Sequence, residues 1–106
     1  MYRGTTPTLR FKLPFAVNTL AVAYVSFKQR ETVRLEKTLE EAIVDEDTLE
    51  YTLTQGETLN FLADSTVDVQ VRVRINDGTA LASKIITLPV KEIMTWDILL
   101  RSIVIP

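Results

Sequence analysis

Residues 67–90 read VDVQVRVRINDGTALASKIITLPV, and this stretch decides the fold. Apolar side chains occupy every second position from Val67 to Ile75, and polar side chains fill the positions between them. This period of two is typical of a β-strand with one face in a core and the other in water. The turn residues Asn76-Asp77-Gly78 follow, and then a second apolar run. The stretch therefore predicts a long β-hairpin.

The register of this hairpin depends on Lys84. A two-residue Asp-Gly loop would pair Val71 with Lys84 and place the cation on the core face, at a large desolvation cost. A three-residue loop, in which Gly78 forms a bulge, pairs Ile75 with Thr79 and leaves Lys84 outside. We expect this second register. It directs inward Leu81, Ser83, Ile85 and Thr87, and it directs outward Ile86 and Leu88.

Further strand patterns precede the hairpin. Alternating or β-branched runs predict strands at residues 8–13, 20–29, 32–38 and 48–53. In 32–38 we expect Val33 and Leu35 to face inward. Strand 20–29 is apolar on both faces, and a strand of this kind needs something to cover its outer face. That outer face is expected to carry Leu20, Val22 and Tyr24.

Two segments carry a helical signature. Thr54 and Glu57 have the spacing of a capping box, which predicts one helical turn near residues 55–60 that crosses from one sheet to the other. Residues 38–44 fit both a strand and a helical pattern, because a Thr and a Glu repeat the same spacing there. The sequence leaves this alternative open.

Six to seven short strands separated by turn signals predict an all-β fold, an immunoglobulin-like antiparallel β-sandwich formed by residues 1–90. Residues 1–7 are polar and are expected to be a loose lead-in. Residues 91–106 read KEIMTWDILLRSIVIP, a C-terminal apolar segment with the only Trp of the chain. We expect this segment to pack either on the sandwich or on a neighbouring subunit, and the sequence does not decide between them.

Composition and charge exclude several functions. The chain has no Cys and no His, which rules out disulfides, zinc fingers and a Ser-His-Asp triad. A net charge of −2 gives no electrostatic basis for binding nucleic acid or an anionic membrane. We expect no signal peptide, because the N-terminal residues contain no apolar run. No apolar stretch approaches the ~20 residues of a membrane-spanning helix.

Each candidate for chemistry has a structural interpretation that explains it better. The acidic run 45–47 lacks the alternating oxygens and the Gly of a calcium loop, so we expect a solvated acidic turn. Glu57 is expected to cap a helix rather than transfer protons. Arg72 and Arg74 beside Tyr24 resemble a platform for single-stranded nucleic acid, but interspersed acids favour cross-strand ion pairs. We therefore expect no enzyme, no catalytic residue, no cofactor and no metal.

The hairpin sequence, the run LTQGETLNF at residues 53–61 and the opening YRGTTPTLRFKLPF at residues 2–15 resemble small prophage-encoded proteins of Gram-positive bacteria. They are similar in pattern to the N-terminal sandwich domain of phage baseplate upper proteins, over most of residues 2–90. The resemblance implies a virion or tail accessory component, located in the virion or in the host cytoplasm during assembly. It carries over no catalytic residue.

Two functional hypotheses follow. The first is a non-enzymatic structural or interaction protein, a phage virion or tail/baseplate accessory component. Its partners would be protein, either further copies in a homo-oligomer or other phage structural subunits, bound through sheet edges and the C-terminal segment. The second is a carbohydrate- or surface-binding adhesion-type sandwich module. The expected interface consists of Leu20, Val22, Tyr24, Ile86, Leu88, Trp96, Ile98, Leu99, Leu100, Ile103 and Ile105.

Overall fold

The computed structural model describes residues 1–92, and residues 93–106 lie outside the described part. Within it, the chain forms β1 (Thr8–Lys12), β2 (Leu20–Gln29), β3 (Thr32–Thr38), β4 (Ile43–Asp45), β5 (Thr48–Thr52), α1 (Gln55–Leu59), β6 (Ser65–Ile75), β7 (Ala80–Ala82) and β8 (Ile86–Val90). One-turn 3-10 helices precede β2 and β4, at Val17–Thr19 and Leu39–Glu41. The predicted all-β class is confirmed.

The strands form two antiparallel sheets that pack face to face. The small sheet has the order β1-β5-β4. The large sheet has the order β3-β2-β6, and both β7 and β8 pair with the far edge of β6. One core lies between the sheets, and its most buried large side chains are Tyr51, Phe27, Phe61, Leu49 and Leu53. This is the sandwich that the alternating strands predicted, with β4 as a strand that the sequence did not resolve.

The predicted crossover turn is confirmed. The backbone N–H of Glu57 donates to Thr54 Oγ1 over 3.1 Å, and the N–H of Thr54 donates to Glu57 Oε1 over 2.8 Å. This reciprocal capping box begins α1, which leads from β5 in the small sheet to β6 in the large one. The ambiguous segment 38–44 contains both a 3-10 turn and the short strand β4, so each of the two patterns describes part of it.

The turn of the long hairpin has the expected register. Ile75 N–H donates to Thr79 O and Gly78 N–H donates to Ile75 O, each over 2.9 Å. Gly78 has φ 93°, a left-handed conformation that suits glycine. Leu81 accordingly lies opposite Val73. The predicted three-residue loop with a glycine bulge is confirmed.

Beyond Ala82 the register changes by one residue. Residues 83–85 form no regular strand. The backbone N–H of Val71 donates there to Ser83 Oγ over 3.0 Å. When pairing resumes, Ile86 lies opposite Val69 and Leu88 lies opposite Val67. Because side chains alternate along a strand, this single slip moves Ile86 and Leu88 to the inner face.

The prediction that Ile86 and Leu88 point outward is therefore wrong. The inward directions expected for Ile85 and Thr87 are wrong for the same reason. Ile85 is 60% exposed within the irregular segment, and Thr87 Oγ1 donates to Asp68 Oδ1 over 2.9 Å on the outer face.

Two bulges change the directions of side chains on β2 and β3 from those expected. The pairing of β2 with β6 shifts between Leu20 and Val22, so that Leu20 is only 8% exposed and belongs to the core. The pairing of β2 with β3 shifts after Phe27 and places Val33 opposite Lys28, 54% exposed. The outward direction expected for Leu20 and the inward one expected for Val33 are both wrong, because each bulge adds a residue to one strand.

The first residues are not a loose lead-in. Tyr2 forms a parallel bridge with Lys91, and the backbone N–H of Arg3 donates to Lys91 O over 2.8 Å. The Arg3 guanidinium donates to Leu59 O over 3.0 Å and forms an ion pair with Glu92. The N-terminal residues thus extend the end of the large sheet and contact α1.

Candidate interaction surface

The large sheet extends past the small sheet on the side of β7 and β8. Val73 and Val69 on the inner face of β6 are buried, at 8% and 1% exposed. Their inner-face neighbours, Leu81 on β7 and Ile86 on β8, are 44% and 46% exposed. The small sheet therefore covers β6 but leaves uncovered two apolar inner-face side chains, Leu81 and Ile86, here called the edge strip.

An open groove lies beside the edge strip, between the two sheets. It has a volume of about 270 Å³. Its walls are formed on one side by residues 12–15, which include Leu13, Pro14 and Phe15, and on the other by Val71, Val73 and Leu81. We call this the edge groove. Its lining is mostly apolar, so water that fills it is displaced favourably by an apolar side chain.

The outer face of the large sheet is polar. Arg72 lies over the ring of Tyr24, with its guanidinium carbon 5.5 Å from the ring centroid, and forms an ion pair with Glu36 over 3.3 Å. Ser26 Oγ donates to the same carboxylate over 3.0 Å. The predicted cross-strand ion pairing is therefore present for Arg72. Tyr24 is 37% exposed, and Arg72 occupies part of its face.

The expected interface residues do not form one surface. Val22 and Tyr24 lie on the outer face, Leu20 belongs to the core, and Ile86 and Leu88 lie on the inner face. Six further members of the expected interface lie outside the described residues: Trp96, Ile98, Leu99, Leu100, Ile103 and Ile105.

Sequence reasoning missed two exposed apolar sites. One is Leu81 in the edge strip, of which only Ile86 was among the expected interface residues; the break in alternation at the consecutive residues Ile85 and Ile86 is a signal for it. The other is the edge strand β4, where Ile43 and Val44 are 65% and 51% exposed. β4 is the free edge of the small sheet and follows β3 along the chain through the 3-10 turn 39–41.

The charged candidates have structural roles. Within residues 1–92, no three or more acidic side chains are grouped so that they could hold a metal ion. The run 45–47 ends β4 and turns into β5, with Glu46 at φ 42°. Asp77 accepts from the N–H of Thr79 over 2.8 Å within the hairpin turn, and this hydrogen bond lowers its pKa.

Glu57 is held by two partners. Burial would raise its pKa, but the hydrogen bond from Lys37 and those within the Thr54 capping box outweigh burial, so the pKa lies below its ordinary value. A carboxylate held in this way is ionised, caps the helix and forms an ion pair with Lys37. This arrangement suits a structural role better than proton transfer.

No family model matches the chain, and neither does any curated protein or solved structure. In the described part, no helix is long and apolar enough to span a membrane.

Proposed function

We propose that this protein is a non-enzymatic structural or interaction protein that assembles through the edge of its large sheet and through its C-terminal segment. The observation that carries the proposal is the edge strip, because Leu81 and Ile86 occupy inner-face positions yet remain about half exposed. Aliphatic side chains left uncovered beside an apolar groove are typical of a surface that is buried against a partner.

The kind of assembly proposed is a phage virion or tail accessory component. The support is the resemblance of residues 2–90 to the N-terminal sandwich domain of baseplate upper proteins. The partners are then further copies of this chain or other phage structural subunits, in the virion or in the host cytoplasm during assembly. We take self-association as the form to be tested first, since it needs no second protein.

The alternative, a carbohydrate- or surface-binding module, has less support. Such modules present open aromatic faces to a sugar ring. The face of Tyr24 is shared with Arg72, and Tyr2, 52% exposed, belongs to the bridge with Lys91. No further observation favours this alternative.

Light scattering coupled to size-exclusion chromatography tests the proposal. We expect the mass of the wild-type protein to rise above that of one chain as concentration increases. Ile86→Glu places a charge in the edge strip and should reduce this association. Val44→Glu is the matched control, since Val44 has a similar exposure but lies on the free edge of the small sheet. A mass of one chain at every concentration would contradict self-assembly.

A further inference from the structure

We infer that the edge groove binds Trp96, supplied by a second copy of this chain. The inference rests on the proposed function, because it names the occupant of the surface through which assembly is proposed. The groove is apolar and open, and the chain carries one matching sequence outside the described residues. Residues 96–100 read WDILL, with one aromatic and three aliphatic side chains in five positions.

The path of β8 indicates why the occupant comes from another copy. Val90 lies opposite Ser65, whereas the groove lies at Val71 and Val73, six or more residues along β6. At about 3.3 Å per residue this is roughly 20 Å. β8 runs antiparallel to β6, so a chain that leaves it at Val90 moves away from the groove.

Within one chain, few residues connect Val90 to Trp96. Trp96 comes six positions after Val90, and six fully extended residues span at most about 20 Å. Lys91 continues away from the groove, since its backbone N–H donates to Met1 O and its backbone O accepts from the N–H of Arg3. The chain would have to reverse first, and a reversal uses residues without gaining distance. A second copy that supplies Trp96 has no such limit.

The chemistry of the groove suits this occupant. A buried Trp removes roughly 150–250 Å² from water, and aromatic anchors dominate the binding energy of many interfaces. A segment of one copy that enters the groove of the next makes a heterologous contact. Such contacts close into rings or continue as filaments, or two copies exchange their segments reciprocally.

A mixing experiment with two full-length variants tests the inference. The donor carries Leu81→Glu, which places a charge in its own groove and keeps Trp96. The acceptor carries Trp96→Glu, which keeps the groove and removes the only Trp of the chain. All Trp emission from the mixture then comes from the donor. We expect each variant alone to have the mass of one chain. On mixing, the emission should shift to shorter wavelength and the mass should rise.

The control acceptor carries both Trp96→Glu and Leu81→Glu and should produce no shift. Circular dichroism checks that each variant folds, and Leu81→Ala gives a milder version of the donor. If the wild type associates while the mixture shows no shift, the inference is wrong and the proposed function stands. If the wild type has the mass of one chain and its Trp emission is already shielded, the segment binds within its own chain and the inference is wrong. If the wild type has the mass of one chain and its Trp emission is that of exposed indole, self-assembly and the inference both fail.

Discussion

Lys37 on β3 forms an ion pair with Glu57 on α1, and this pair joins the edge of the large sheet to the crossover helix. The two side chains are only 13% and 21% exposed. The same carboxylate accepts a hydrogen bond from the N–H of Thr54. One residue therefore caps the helix and holds it against the sheet.

Glu57→Gln should weaken the response of stability to acid. Folding lowers the pKa of Glu57, so its contribution to the free energy of unfolding is complete above the unfolded value of about 4.5. The contribution is lost as the pH falls through the lower folded value. Gln should flatten this acid limb and reduce stability at neutral pH by roughly 0.2–1 kcal/mol. Urea unfolding at a series of pH values measures both effects.

Glu50→Gln provides the control for that experiment, since Glu50 pairs with Arg10, whose side chain is 71% exposed. It should change the neutral stability less than Glu57→Gln does. An acid limb that keeps its slope in Glu57→Gln would show that another group causes it.

The phenol of Tyr51 should titrate at unusually high pH. Burial, and secondarily the negative charges of Glu41 and Glu40, raise its pKa to about 12 from 10.0. The raised pKa stabilises the folded state fully below pH 10, and this contribution is lost as the pH rises through about 12. Absorbance titration of the phenolate should show a late step that Tyr51→Phe removes.

Tyr51→Phe also deletes the hydrogen bond from the phenol to Thr38 O, 2.9 Å long. Stability at neutral pH should therefore fall by about 0.5–1.5 kcal/mol. Tyr24→Phe, on the outer face, is the control and should leave the late step in place. If the late step survived in Tyr51→Phe, the buried phenol would not be its source.

The strands were predictable because alternation is a property of the local chain. Residues 67–75 and 48–53 face as the pattern requires, and both become core strands. The errors in strand facing arise at one-residue slips: the bulges near Leu20 and Phe27, and the irregular segment 83–85. Whether an extra residue is accommodated depends on packing against the other sheet, which no window of local sequence contains.

The interaction surface was less predictable than the strands. The exposure of Leu81 and Ile86 follows from the relative widths of the two sheets, which is a property of the whole fold. The sequence did predict that the stretch after Val90 has something to cover. The facing of Ile86 and Leu88 was wrong, because a slip of one residue exchanges the inner and outer faces of β8.

The turn between β2 and β3 should tolerate a stabilising substitution. Arg30 and Glu31 have φ values of 47° and 66°, a left-handed conformation that favours Asn and Gly in two-residue hairpin loops. Replacing the pair with Asn-Gly should raise the free energy of unfolding by roughly 1 kcal/mol. The ion pair between Lys28 and Glu31 is lost, but Glu31 is 93% exposed and the pair adds little.

Thermal and urea unfolding of the Asn-Gly variant measure this gain. Gly78→Ala supplies the opposite test, because Gly78 has φ 93° although no atom would crowd an added Cβ. It should lose stability from backbone strain alone. A turn variant no more stable than wild type would mean that the left-handed pair costs little here.

Gln29 should be the most sensitive polar residue of the core. Its side chain is 2% exposed, donates to Leu62 O over 3.1 Å and accepts from the N–H of Leu62 over 2.7 Å. Gln29→Ala leaves these backbone groups without their partner and should cost about 1–3 kcal/mol. Gln55→Ala, at an exposed position of α1, should stay within about 0.5 kcal/mol of wild type in the same urea experiment.

The shifted register of β8 makes opposite predictions for two neighbouring residues. Leu88 packs against the core and Thr87 lies on the outer face, bonded to Asp68. Leu88→Ala should therefore destabilise the protein by about 2 kcal/mol, and Thr87→Ala by less than about 1 kcal/mol. An unshifted register would turn Thr87 inward and Leu88 into water, which would make Leu88→Ala the milder change. Urea unfolding of the two variants thus tests the face that β8 presents to the core, and with it the position of Ile86 in the edge strip.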